Sequence, residues 1–153
     1  MSMAELERKF SQLEGLFIGT GTNHEGQSFT GTFEGKVAGG GSGLSFSFDA
    51  VGDNGIVFHA ESSLIGKTFH GKLGLWVVSS NHPAVFERTL REKALDSTDS
   101  FTWIFAFGDQ ADRNSFREEI KIESTSDSIR YVYSWGMPGG DFAERSGALM
   151  ERM

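Results

Sequence analysis

Three charged residues interrupt apolar rows in the second half of the chain. Each lies an even number of positions from apolar residues on its predicted strand. The sets are Arg88 with Phe86 and Leu90, Glu118 with Phe116 and Ile120, and Glu144 with Phe142 and Ala148. Because residues i and i+2 of a β-strand share a face, all three charges are predicted to point inward. Carboxyl groups beside a tyrosine could perform acid–base chemistry, and a guanidinium could bind an acidic group of a ligand.

Pairing the predicted hairpins symmetrically places these charges in one band across five strands. The band runs Arg88, Phe105, Glu118, Tyr133, Glu144. The strands that carry Arg88 and Glu118 lie roughly 10 Å apart in this band, so the long arginine side chain could form one salt bridge. One carboxylate would then have no cationic partner. Because an unpaired buried charge is unfavourable, either water fills a cavity here or one carboxyl group stays protonated. Two further interpretations stay open: the band lies at an open barrel mouth, or it forms a satisfied network that only sets the strand register.

The same alternation fills the predicted interior with aromatic side chains. Such an interior could form a pocket for an apolar or planar ligand, or the rings could simply fill the core. The candidate ligand-binding residues are Arg88, Trp103, Phe105, Glu118, Tyr131, Tyr133, Trp135 and Glu144.

A second group of polar residues lies in the middle of the chain. His59 and Glu61 share a strand face, and His70 lies across the predicted hairpin, so the three could supply metal ligands. A two-residue turn at Gly66–Lys67 would instead set Glu61 opposite Lys72 on an outer, solvated face. We therefore expect no metal site. The sequence also lacks a GxSxG elbow and a phosphate-binding glycine motif, so no catalytic residue is assigned.

One helix and about ten strands must position these residues. Apolar residues recur at helical spacing over residues 4–13, with Ser2 as N-cap, and the period is then two over residues 16–152. The strand-like runs begin near Leu16, Ser28, Leu44, Ile56, Phe69, Ala84, Phe101, Ser115, Ile129 and Phe142, with turns such as Asp96–Asp99 between them. Because closing the sheet removes its two edges, we predict an all-β, closed up-and-down antiparallel barrel forming a single domain over residues 1–153.

Composition argues against several classes of partner. The net charge of -7 disfavours nucleic acid and anionic lipid surfaces, and no apolar run is long enough to span a bilayer. There is no cysteine, and the charged N-terminus does not resemble a secretory signal, so we expect a cytoplasmic protein.

The segment LEGLFIGTG at residues 13–21 resembles the start of a known family of barrels. It is similar to the helix and Gly-x-Trp-x-Gly-x-Gly motif of nitrobindin-like proteins and related uncharacterised bacterial barrels of the calycin group, with Phe17 at the tryptophan position. The resemblance implies a calycin-like, lipocalin-like barrel whose cavity binds a small hydrophobic molecule. Nitrobindins hold haem through a histidine late in the chain. The last histidine here is His82, so we expect no haem.

Three functions remain open on the sequence. The leading hypothesis is a small-molecule binding protein with a cavity for an apolar or amphipathic ligand. The second is an enzyme that uses Glu118, Tyr133 and Glu144 for acid–base chemistry. The third is an interaction module, since Val57, Trp76 and Val78 form an outer apolar cluster that favours a homodimer contact.

Overall fold

The computed structural model describes residues 1–91 and 97–153 and contains one α-helix and ten strands. The elements are α1 (Met3–Gln12), β1 (Gly15–Thr22), β2 (Ser28–Ala38), β3 (Gly43–Gly52), β4 (Val57–Lys67), β5 (Leu73–Ser79), β6 (Glu87–Leu90), β7 (Phe101–Phe107), β8 (Arg117–Ser124), β9 (Ser128–Gly136) and β10 (Ala143–Arg152). Each strand pairs antiparallel with its sequence neighbours, and β1 pairs with β10 to close the barrel. The predicted ten-strand barrel with a short N-terminal helix is confirmed. Asp96, where one turn was predicted to begin, lies outside the described residues.

Helix α1 closes one end of the barrel. The Ser2 side chain caps it by accepting a hydrogen bond from a backbone N–H of the first turn. Its apolar residues Leu6 and Phe10, and Leu13 just beyond it, are fully buried, and Phe10 packs edge-on against Trp103 with ring centroids 5.9 Å apart. The predicted helical stripe is therefore the face that plugs the barrel. Within the described part of the chain, no helix is long and apolar enough to cross a membrane.

Gly19 permits the close approach of β1 and β10 at the seam. A Cβ atom added at Gly19 would lie 1.9 Å from the backbone oxygen of Leu149, well inside van der Waals contact. The position accordingly excludes any side chain. Gly19 belongs to the glycine motif of the sequence, so that motif has a packing function in this fold.

The hairpin of β4 and β5 differs from its prediction. Its turn runs from Thr68 to Lys72, closed by a hydrogen bond of 2.8 Å from Thr68 N to Lys72 O, and not through two residues at Gly66–Lys67. Ile65 therefore pairs with Leu75, and Glu61 pairs with Ser79. Because the register moves by an odd number of residues, the faces of β4 are exchanged. The predicted outer pair of Glu61 with Lys72 was wrong: Glu61 is 4% exposed and faces the interior.

The prediction that Glu144 points inward was also wrong. Glu144 is exposed and pairs with Ser134, whereas Ser146 pairs with Tyr133. A β-bulge between Glu144 and Ser146 adds one residue to β10 there. Alternation counted back from the buried Ala148 therefore assigns Glu144 to the wrong face.

Candidate ligand-binding site

A cavity of about 920 Å³ occupies the end of the barrel opposite α1. Loops that follow β1, β5 and β9 contribute residues 23–24, 81–83 and 137–138 to its rim. Its apolar wall consists of Phe29, Phe48, Ala50, Phe58, Val77, Phe86, Phe107, Phe116, Trp135 and Met137. The volume lies within the roughly 300–1,000 Å³ usual for small-molecule sites.

Among the residues that the structure describes, Arg88 is the only Arg, Lys, Asp or Glu that lines this cavity. Its Nε donates to Oε1 of Glu118, and the two residues are 2% and 7% exposed. The guanidinium lies over the Phe86 ring, with its Cζ atom 4.2 Å from the ring centroid. Burial raises the pKa of Glu118, and the adjacent Arg88 charge opposes that rise. A second guanidinium nitrogen, Nη1, is buried and has no hydrogen-bond partner among residues 1–91 and 97–153.

The Arg88–Glu118 salt bridge forms at a register that differs from the predicted band. Leu90 pairs with Phe105, and Phe107 pairs with Glu118, so each of these hairpins is displaced by two residues. An even displacement leaves every side chain on its predicted face. The inward orientation of Arg88 and Glu118 was correct, although their predicted strand neighbours were not.

The carboxylate of Glu61 accepts four hydrogen bonds beneath the cavity. The donors are Ser63 Oγ at 2.7 Å, Tyr131 OH at 3.0 Å, Tyr133 OH at 2.8 Å and His59 Nε2 at 2.9 Å. Burial raises the pKa of both tyrosines well above the ordinary value, and the Glu61 charge raises it further. The tyrosines are therefore held as neutral donors to the Glu61 carboxyl group.

His59 connects Glu61 to the cavity, and its neighbours define which ring nitrogen carries the proton. Asn81 Nδ2 lies 3.0 Å from the carbonyl oxygen of Phe58, which can only accept, and 2.9 Å from His59 Nδ1. The amide therefore donates to Nδ1, and the ring proton lies on Nε2, directed at Glu61. The His59 side chain is 15% exposed and lines the cavity in this neutral form.

The spacing of His59 and Glu61 in the sequence indicates that they share a strand face, but the predicted hairpin placed that face on the outer surface. Their true face depends on the wide Thr68–Lys72 turn and on a bulge where β3 meets the start of β4. The run Glu61-Ser62-Ser63 offers no apolar alternation that would reveal the inner face. Among the residues that the structure describes, no group of three or more metal-ligating side chains is present.

The predicted site residues divide into four groups. Arg88, Tyr133 and Trp135 line the cavity, and Glu118 lies buried as the partner of Arg88. Trp103, Phe105 and Tyr131 are fully buried in the core and do not line it. Glu144 lies outside the barrel wall. His59 and Asn81, which the prediction did not include, are among the further polar residues that line the cavity.

Solved structures share this fold at very low sequence identity. Rv2717c from M. tuberculosis superposes with a TM-score of 0.78 and 12% identity over 99% of this chain and 99% of that chain. A second barrel, EF1p2_mFAP2b bound to DFHBI, superposes with a TM-score of 0.50 and 11% identity over 97% of this chain and 99% of that one. No protein-family model and no curated protein sequence matches the chain. These likenesses support the closed barrel fold.

Proposed function

We propose that this protein binds a small, mainly apolar molecule in the cavity opposite α1. The observation that carries the proposal is the mainly apolar wall of this cavity, which also includes Arg88, a residue whose buried Nη1 has no acceptor among the described residues. An unpaired buried donor destabilises a protein by about 1–3 kcal/mol, and a ligand acceptor would remove that penalty. The ten apolar side chains of the wall would supply the rest of the binding free energy.

Two likenesses support a small-molecule ligand. The N-terminal motif resembles that of nitrobindin-like and related calycin barrels, and one barrel of similar fold is bound to DFHBI. We do not extend the proposal to haem held as in nitrobindins, because the last histidine of the chain is His82 and β7–β10 carry none.

A neutral fluorophore tests the proposal directly. 1-N-phenylnaphthylamine is expected to bind with increased fluorescence, and native mass spectrometry of gently purified protein should show a retained small molecule or one bound fluorophore. Ala50→Trp, on the inner face of β3, should abolish binding by filling the cavity. Val51→Trp, on the outer face of the same strand, is the matched control. Binding that survives Ala50→Trp in a folded protein would contradict the proposal.

A second candidate function is proton transfer by the His59–Glu61 pair. A carboxylate that holds the Nε2 proton of a histidine orients the ring and stabilises its protonated form, which is the arrangement of many general bases. Release of Asn81 would free Nδ1 to accept a proton from a molecule in the cavity. Glu144 cannot take part, since it lies outside the barrel.

The Kemp elimination of 5-nitrobenzisoxazole reports such a base. The base removes the ring C–H proton, the N–O bond breaks, and the coloured cyanophenolate forms without any further reactant. We expect measurable turnover, and a loss of at least about tenfold in His59→Gln. His82→Gln removes another histidine of the cavity and should leave the rate unchanged. Equal losses in both variants would exclude His59 as the base.

A further inference from the structure

We infer that the ligand presents an uncharged hydrogen-bond acceptor, such as a ketone, ester or amide carbonyl, to Arg88, and that the cavity selects against free carboxylates. The inference rests on the proposed binding function. It concerns the chemical class of the ligand, which the apolar wall leaves undefined. A guanidinium in a cavity usually suggests an anionic ligand, so the charges around Arg88 decide the question.

The charge of Arg88 is already matched. Its Nε donates to Glu118 Oε1, and both side chains are almost completely buried, so the pair is neutral as a unit. The unpaired nitrogen Nη1 can still donate a hydrogen bond, but the Glu118 carboxylate offsets the positive charge of the guanidinium. An acceptor placed at Nη1 therefore gains a hydrogen bond, whereas an added negative charge also meets the nearby Glu118 carboxylate.

Glu61 places a second carboxyl group close to the same wall, where it accepts a hydrogen bond from the cavity-lining Tyr133. Its four donors are Ser63, Tyr131, Tyr133 and His59, and each is neutral in the observed arrangement. Burial raises the pKa of Glu118 most, and the nearby Glu61 carboxyl group raises it further. Two carboxyl groups, those of Glu118 and Glu61, therefore lie at this end of the cavity, and within the described part of the chain Arg88 is the only Arg or Lys that lines it.

Four other titratable groups lie around Arg88. They are His59 on β4, His82 in the β5–β6 loop and the two tyrosines of β9. In their neutral forms they add no positive charge. A ligand carboxylate would add a negative charge beside an Arg88 that Glu118 already pairs, in a largely apolar enclosure, so its binding requires uptake of a proton by the ligand or by one of these groups. A neutral carbonyl has no such requirement.

A matched pair of probes tests the inference on the unmodified protein. 2-Naphthamide and 2-naphthoate share one ring system and differ at the polar group, and their dissociation constants can be measured by calorimetry between pH 5 and pH 8. At pH 7 we expect the amide to bind at least about tenfold more tightly. Its affinity should not change with pH, whereas that of naphthoate should rise by up to about tenfold for each unit that the pH falls. Naphthoate that binds as tightly as the amide at pH 7 would overturn the inference.

Two variants locate the selection at Arg88. Glu118→Gln removes the opposing charge and keeps a hydrogen-bond acceptor of similar size, so naphthoate should gain at least about tenfold while the amide stays unchanged. Arg88→Met should weaken the amide. Circular dichroism and thermal unfolding verify the fold of each variant, and the comparison in the unmodified protein remains decisive if a variant does not fold.

The outcomes separate this inference from the proposed function. If phenylnaphthylamine fails to bind, the binding function itself is wrong. If phenylnaphthylamine binds but the amide does not, or if amide and carboxylate bind alike at every pH, the cavity binds ligands and the assignment of a neutral acceptor to Arg88 is wrong.

Discussion

Arg88 on β6 reaches past β7 to bind Glu118 on β8, and the two side chains form a buried salt bridge at the base of the cavity. Replacing one partner leaves the other charge buried without compensation. We expect Arg88→Met to reduce the free energy of unfolding by about 3–5 kcal/mol, measured by urea denaturation. The double variant Arg88→Met, Glu118→Gln should recover part of this loss because no charge is left unpaired. A loss below about 1 kcal/mol in the single variant would show that water reaches Glu118.

The burial of Glu118 predicts a pH dependence of stability. Burial raises the pKa of Glu118 in the folded protein above its ordinary value, so the folded state binds this proton more tightly than the unfolded state. The resulting contribution to stability is fully present below the ordinary glutamate pKa and is lost as the pH rises through the raised pKa. Relative to Glu118→Gln, the unmodified protein should therefore become less stable over this interval. Parallel stability profiles for the two proteins would contradict the prediction.

The tyrosines offer a spectroscopic test of the Glu61 cluster. The chain contains 2 tyrosines, Tyr131 and Tyr133, and both donate to Glu61. Because burial and the Glu61 charge raise both pKa values, tyrosinate absorbance should be absent near pH 10 and should appear only when the barrel unfolds at higher pH. In Glu61→Gln the absorbance should appear at lower pH. A normal tyrosine titration in the native protein would mean that the cluster does not form.

The close packing of β1 against β10 depends on the absence of a side chain at Gly19. Gly19→Ala places a methyl group against the Leu149 backbone, and we expect a loss of about 3 kcal/mol because backbone atoms cannot move aside as a side chain can. Gly66→Ala is the matched control, since no atom lies within 4 Å of a Cβ at that strand position. Chemical denaturation of both variants measures the difference. Equal stabilities would show that the seam is loose enough to admit a methyl group.

The plugged end and the cavity end should respond independently. Phe10→Ala removes a ring that packs against Trp103 and is expected to destabilise the protein by about 3–5 kcal/mol. Binding of phenylnaphthylamine to the folded fraction should not change, because neither residue lines the cavity. A weakened affinity in folded Phe10→Ala would indicate that the helix end shapes the site.

Local patterns predicted much of the architecture. The apolar spacing of residues 4–13 indicated a helix with one buried face, and the switch to a period of two indicated strands that close into a barrel. The inward direction of Arg88 and Glu118 followed from the same period, because an alternation is insensitive to even shifts of register. This part of the site could therefore be found without the hairpin pairings.

The sequence by itself determined that a barrel forms and that Arg88 and Glu118 face its interior, since both follow from residue periodicity within single strands. Only the tertiary structure decided that Glu61 and His59 join them inside and that Glu144 does not. Those three orientations depend on the wide Thr68–Lys72 turn and on single-residue bulges in β-ladders. Such turns and bulges change the count of residues by an odd number, and their positions are selected by pairing between strands, which no local pattern records.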